Sequence, residues 1–290
     1  GSIIEYTTKI VSPYFTYIPE WHFQLDIPVK HSEISLAIPE FLTYYKYIKG
    51  TVKVNQLVVG DSYIYKASNI PALKDEGFVN NINNYRSAII HTFSGYREAN
   101  GSRKMVAGSW DDVVKTINKN DHFGKQFKNL NFFTEIVTPI INGKKTDEEK
   151  ADAVFDYVKS NFTSNMIASI YASKNLKDVF KTKTGNVADV NLLTIALMKA
   201  AKINANPLVL STRSKGIAYM PSTDAFNNVI IGVELPGKTL LYDASSKFST
   251  KNIIPIHNLN WMGRLIRDDD TSKDILLEPS VESKYTVNAT

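Results

Sequence analysis

The run Thr184-Gly185-Asn186-Val187-Ala188-Asp189-Val190-Asn191-Leu192-Leu193-Thr194-Ile195-Ala196-Leu197-Met198-Lys199-Ala200-Ala201 decides the fold. Thr184, Gly185 and Asn186 have the composition of a turn. From Ala188 the chain is apolar almost without interruption to Ala201. A helix that is apolar on every side lies inside a protein, not on its surface. The spacing therefore predicts a central buried helix over 188–201.

Its flanks supply the partners such a helix needs. Pro207 to Thr212 reads as a buried strand. Phe226 to Leu235 and Thr239 to Tyr242 read as a hairpin joined at Pro236-Gly237. Upstream, Leu176 to Lys181 reads as a short helix. Thr146 and Glu149 fit a capping box, ahead of Ala151, Val154, Phe155 and Val158 at helical spacing. Ser109 is placed to cap a further helix through Ile117. The second half is thus an α+β domain with a helix packed on an antiparallel sheet.

Residues 1 to about 105 read as β-structure. Ile3 to Val11 has the composition of a strand. Trp21 to Ile27 and Ser32 to Ile38 alternate apolar and polar residues, and Pro28 and Pro39 end them. Tyr44 to Lys53, Ser62 to Lys66 and Ser87 to Phe93 are further strands. Short strands punctuated by Pro, Gly and Asn predict an antiparallel sandwich. With 290 residues, and roughly 150 per domain, two domains are expected. The boundary is placed between 135 and 146. Gly1-Ser2 runs straight into strand-like sequence, so the chain reads as a segment of a longer polypeptide.

Composition narrows the chemistry. There is no cysteine, which excludes disulfides, thiolate metal sites and a thiol nucleophile. The 34 basic and 29 acidic residues are scattered, unlike the concentrated basic face of a nucleic-acid binder. Lys174, Lys177, Lys181 and Lys183 form one loose basic cluster. His22, His31, His91, His122 and His257 are dispersed and do not suggest a metal site. No cofactor is implied. No run approaches the ~18 apolar residues that span a bilayer.

Three stretches carry a resemblance. They are Gly185-Asn186-Val187-Ala188-Asp189, Leu197 to Val209, and Phe226 to Ile231 followed by Leu241-Tyr242-Asp243-Ala244-Ser245. They resemble the transglutaminase-like superfamily, related to papain-like thiol proteases. There a Cys opens the buried helix, where the helix N-terminus lowers its pKa. A His on a following strand is the base, and an Asp orients that His. In this register Val187 stands at the Cys position, Asn228 at the His position and Asp243 at the Asp position. A slip of one residue restores neither nucleophile nor base, because Asn186, Ala188 and Asn227 supply neither.

The resemblance narrows to a cysteine-less branch of exported proteins of Gram-negative bacteria, through Asn191-Leu192-Leu193 and Leu210-Ser211-Thr212-Arg213-Ser214. It implies a β-rich domain of unknown function at 1–140, a transglutaminase-like domain at 141–265, and an extension toward a further domain at 266–290. It also implies a periplasmic or envelope location.

The expected function is an inactive relative acting as a binding or structural module for a peptide, a glycan or an envelope protein. Two alternatives stay open. One is a hydrolase or amidase using Asp189 or Asp243 in a remnant cleft. The other is a purely structural module of a larger exported protein. Candidate cleft residues are Asn186, Asp189, Arg213 and Asn227. For Asn186 and Asp189 the competing reading is helix capping. For Arg213 it is a salt bridge to Asp189 or Asp243. For Asp243 it is a strand end bonding backbone amides.

Overall fold

The computed structural model describes residues 2–279, 281–282 and 284–287. The chain divides into two compact units. The first holds 1–76 and 85–107, and the second holds 77–84 and 108–290.

The first unit is all β. Its strands are β1 (Trp21–His22), β2 (Val29–Ala37), β3 (Leu42–Lys49), β4 (Asn55–Val59), β5 (Ser62–Ile70), β6 (Ala88–Arg97) and β7 (Arg103–Met105). One antiparallel sheet runs β1-β6-β3 with β7 added on β6, and the other runs β2-β5-β4. Tyr65, Ala67 and Ile70 of one sheet meet Ile89 of the other around Phe23 in a shared core. That is the expected sandwich.

Two expected strands differ. Trp21 to Ile27 shrinks to the two residues of β1. Ile3 to Val11 is extended but unpaired and exposed, with Ile3 at 87% and Val11 at 84%. Strand composition needs a partner ladder to become a strand, and this segment has none among the described residues.

The second unit carries helices α1 (Trp110–Asn118), α2 (Asn131–Ile140), α3 (Asp147–Asn161), α4 (Leu176–Thr182) and α5 (Val187–Ala200). Its strands are β8 (Thr163–Ser164), β9 (Thr184–Gly185), β10 (Ala205–Leu210), β11 (Asn228–Leu235), β12 (Lys238–Tyr242), β13 (Trp261–Ile266) and β14 (Ser272–Leu277). The main sheet is antiparallel in the order β12-β11-β10-β13-β14. β8 and β9 form a small parallel pair.

Helix α5 is the predicted central helix. It packs on β10 and β11 and is surrounded by α2, α3 and α4. Every residue of it but Lys199 is buried. Burial of its large apolar side chains stabilises the unit by about 1.5–3 kcal/mol each. Within the sheet, Leu208 lies opposite Ile230 and Leu265, and with Leu210, Ile254 and Leu277 they form a second apolar cluster.

The units part between Ala107 and Gly108, upstream of the 135–146 boundary expected from composition. Packing decides this, because α2 lies against α5 and α3. β14 extends the main sheet beyond residue 265, so 272–277 belongs to that sheet. Residues 280, 283 and 288–290 of the expected extension lie outside the described residues.

The first unit holds a titratable feature. His91 is 7% exposed and neither ring nitrogen has a hydrogen-bond partner. Its ring meets Tyr65 edge-on at 5.5 Å. Burial, helped by the Lys46 charge, lowers its pKa to about 4. Burial also lowers His22, with Lys49 and Arg86 adding to the effect against an opposing pull from Glu20. A histidine with a depressed folded pKa takes up its proton first in the unfolded chain. Stability should therefore fall as pH drops from the ordinary value near 6.5 toward 4. His91→Leu should make that loss shallower, read as urea midpoints at pH 7 and pH 5. An unchanged pH slope would show that the ring does not resist protonation.

Candidate functional site

Val187 is the first residue of α5, Asn228 the first of β11, and Asp243 follows the last residue of β12. The fold therefore gathers all three at one end of the sheet and helix. The local geometry of that end begins at Gly185. A Cβ there would lie 2.4 Å from Cβ of Asp189 and 2.5 Å from its Oδ2, so only glycine fits.

Asn186 is the N-cap of α5, and with Asp189 it forms a complete capping box. The Asp189 N–H donates to Asn186 Oδ1 at 2.7 Å, and the Asn186 N–H donates to Asp189 Oδ2 at 2.7 Å. Asp189 is fully buried and also accepts from the N–H and Oγ of Ser173, at 2.8 and 2.6 Å.

The segment 165–173 crosses this helix end. Asn165 N–H donates to the Gly185 carbonyl, and Val187 N–H to the Ile167 carbonyl at 3.2 Å. Asn186 Nδ2 donates to the Tyr171 carbonyl at 3.1 Å. These bonds spend the helix-end polar groups that an anion would otherwise use. Val187 is only 3% exposed.

One turn along the same face of α5 stands Asn191, fully buried. Its Nδ2 donates to the Val229 carbonyl at 2.9 Å and to Asp243 Oδ1 at 3.0 Å. Its Oδ1 accepts the Ala244 N–H at 2.8 Å. Asp243 is 1% exposed and accepts on both oxygens. Oδ1 takes the N–H and Oγ of Ser245 at 3.1 and 2.6 Å, and Oδ2 takes Asn258 Nδ2 at 3.0 Å. Asn258 Oδ1 in turn accepts from Asn228 Nδ2 at 2.7 Å. A buried relay thus runs Asn191–Asp243–Asn258–Asn228. Asp243 accepts a backbone amide, as the strand-end reading held, and it is also linked to Asn228 through Asn258.

One atom is left over. Asn228 Oδ1 is buried without a hydrogen-bond partner.

The proposed cleft residues fare as follows. Asn186 and Asp189 are caps, as the competing reading held. Asn227 is tied to Thr212, accepting its N–H at 2.8 Å and donating to its Oγ1 at 2.9 Å. Arg213 does not pair with Asp189 or Asp243, whose oxygens are taken. Its Nε donates to the Leu259 carbonyl at 2.8 Å, leaving its terminal nitrogens uncommitted among the described residues. Asn258 and Ser173 complete the network and were missed from sequence. Neither stands in a patterned stretch, and their partners lie 15 and 16 positions away. No group of three or more His, Asp or Glu among the described residues could hold a metal ion.

Residues 134–231 match the transglutaminase-like superfamily core, a stretch that includes Val187 and Asn228 and stops short of Asp243. No curated protein matches the chain. Among solved structures, a "putative protease" from Parabacteroides distasonis superposes with a TM-score of 0.57 at 15% identity. The match covers 90% of this chain but 47% of that protein, so the chain spans about half its length. A "putative cysteine protease" from Cytophaga hutchinsonii aligns more loosely, with a TM-score of 0.36 at 10% identity over 92% of this chain and 90% of that one.

The network predicts an ordering of stabilities. Asn191→Leu strips partners from Asp243, the Val229 carbonyl and the Ala244 N–H at once. It should cost about 3–5 kcal/mol. Asn228→Ala removes one hydrogen bond and also the orphaned oxygen, and should cost about 1–2 kcal/mol. Urea unfolding measures both, and equal losses would refute the relay as described.

Proposed function

Taking residues 134–231 as a member of the transglutaminase-like superfamily, we propose that this chain is a catalytically inactive form of that fold. It serves as a binding or structural module of an exported protein at the cell envelope. The observation that carries the reading is the closed former catalytic corner. Val187, Asn228 and Asp243 are 3%, 1% and 1% exposed. Val has no lone pair to attack with, and Asn no nitrogen that titrates near neutral pH. Acid–base chemistry by Asp189 or Asp243 is disfavoured too, because their oxygens accept only from internal donors and neither reaches solvent.

A closed corner moves the working surface elsewhere. Apolar side chains lie exposed toward both ends of the chain, among them Ile3, Ile4, Tyr6, Ile10 and Val11, and Leu276, Val281 and Tyr285. Exposed apolar stretches of this kind suit packing against neighbouring protein. The envelope setting rests on the resemblance to exported proteins.

Two measurements test the reading. The purified chain should neither hydrolyse nor cross-link glutamine-containing peptides. Turnover that disappears with Asp243→Ala would sink the proposal. Separately, the thiol of Val187→Cys should react with a maleimide at least about a hundredfold more slowly in the native protein than in denaturant. Rapid native labelling would mean that the corner is open.

A further inference from the structure

The second unit contains a hollow of about 450 Å³ away from the triad corner. Its lining includes Asp121, Lys125, Gln126, Lys128, Asn129, Asn175 and Lys177. Part of the basic cluster noted in the sequence, Lys177, thus joins Lys125 and Lys128 around one depression.

The hydrogen-bond accounting is one-sided. The acceptors are spent inward. Asn175 Oδ1 takes the Lys177 N–H at 2.9 Å, Asn129 Oδ1 takes the Asn131 N–H at 3.3 Å, and Gln126 Oε1 takes the Leu176 N–H at 3.1 Å. Asp121 is held by Lys125 at 2.7 Å. The donors are spent only in part: Gln126 Nε2 goes to the Asp121 carbonyl at 2.6 Å and Lys125 Nζ to the Asp121 carboxylate. The side-chain amides of Asn129 and Asn175 donate to no described residue, and Lys128 acts on Asp121 through charge alone. Lys177 Nζ only overlies the Phe132 ring, at 5.6 Å. Three lysines against one aspartate leave the rim positive. A hollow whose lysine charges outnumber its one carboxylate, with amide donors to spare, suits an anion.

We propose that this hollow binds a phosphate-type oxyanion carried by a small molecule or a lipid headgroup. The donors select the class. Lysines act as compact point charges, suited to a multivalent tetrahedral anion, whereas planar carboxylates favour the bidentate fork of arginine, absent from this lining. The volume accommodates a group the size of pyrophosphate or a phosphorylated sugar. The proposal is independent of the triad corner and stands or falls without it.

The test is calorimetry on the whole chain with pyrophosphate at fixed ionic strength, beside sedimentation with vesicles containing phosphatidylglycerol. Lys128→Ala and Lys177→Ala should each weaken binding about five- to tenfold. The double variant should abolish it, and Lys104→Ala, in the first unit, should leave it unchanged. Pyrophosphate binding alone identifies a free small anion. Vesicle binding that needs Lys128 and Lys177 identifies a headgroup. Absence of both, or a loss equalled by Lys104→Ala, overturns the proposal, since the effect would then be net charge alone. These alanine changes lie on exposed side chains, so folding is preserved and a negative result counts.

Discussion

The burial of Asp243 is the constraint around which the second unit is arranged. A carboxyl group removed from water costs several kcal/mol unless every oxygen finds donors. Here the donors come from three separated places: Asn191 on α5, Ser245 just after β12, and Asn258 in the connection to β13. Satisfying one side chain therefore fixes a helix against a sheet edge and pins a loop. Asn191 does the same in the other direction, holding the Val229 carbonyl and the Ala244 N–H together with Asp243. The apolar packing of α5 supplies the bulk of the stability. The polar relay supplies the register.

The same logic explains why capping and catalysis compete at the N-terminus of α5. In an active relative of the kind the resemblance implies, that helix end must face a substrate, with a thiol at its first residue and its dipole unspent. In this chain the dipole and the orphan N–H groups are consumed by Asn186, by Ile167 and by the reciprocal bond of Asp189. Ser173 then fills the remaining acceptor capacity of Asp189. A helix end whose first and third N–H groups are bonded by its own chain is a better anchor than a reaction centre.

What could be read in the sequence follows from how local each signal is. The buried helix, the capping box at Thr146, helix capping at Asn186 and Asp189, and the hairpin at Pro236-Gly237 are written in neighbouring residues, and each is found in the structure. Asn258 is not legible, because its role exists only once β12 and β13 bring it beside Asp243. The segment Ile3 to Val11 failed in the opposite way, since its composition is that of a strand while its hydrogen-bond partners must come from elsewhere. The division into compact units falls elsewhere than composition suggests for a related reason. α1 and α2 follow the β-rich region in sequence, yet α2 takes its place from contact with α5.

The orphaned Asn228 Oδ1 is the one residue of imperfection in this corner, and it is informative. Buried oxygens without donors are rare, because each forfeits the free energy of a lost hydrogen bond. Where a site must stay poised for a reaction, unpaired polar groups are common and are offset by the rest of the fold. Here every other polar side chain of the corner is paired and the helix entrance is closed by Val187. A single unsatisfied atom among so many paired ones marks Asn228 as the one place where the packing of this corner leaves a polar group without a donor. The amide nitrogen of Asn228 is held in the relay through Asn258, while its oxygen, on the other side of the same amide plane, meets no donor.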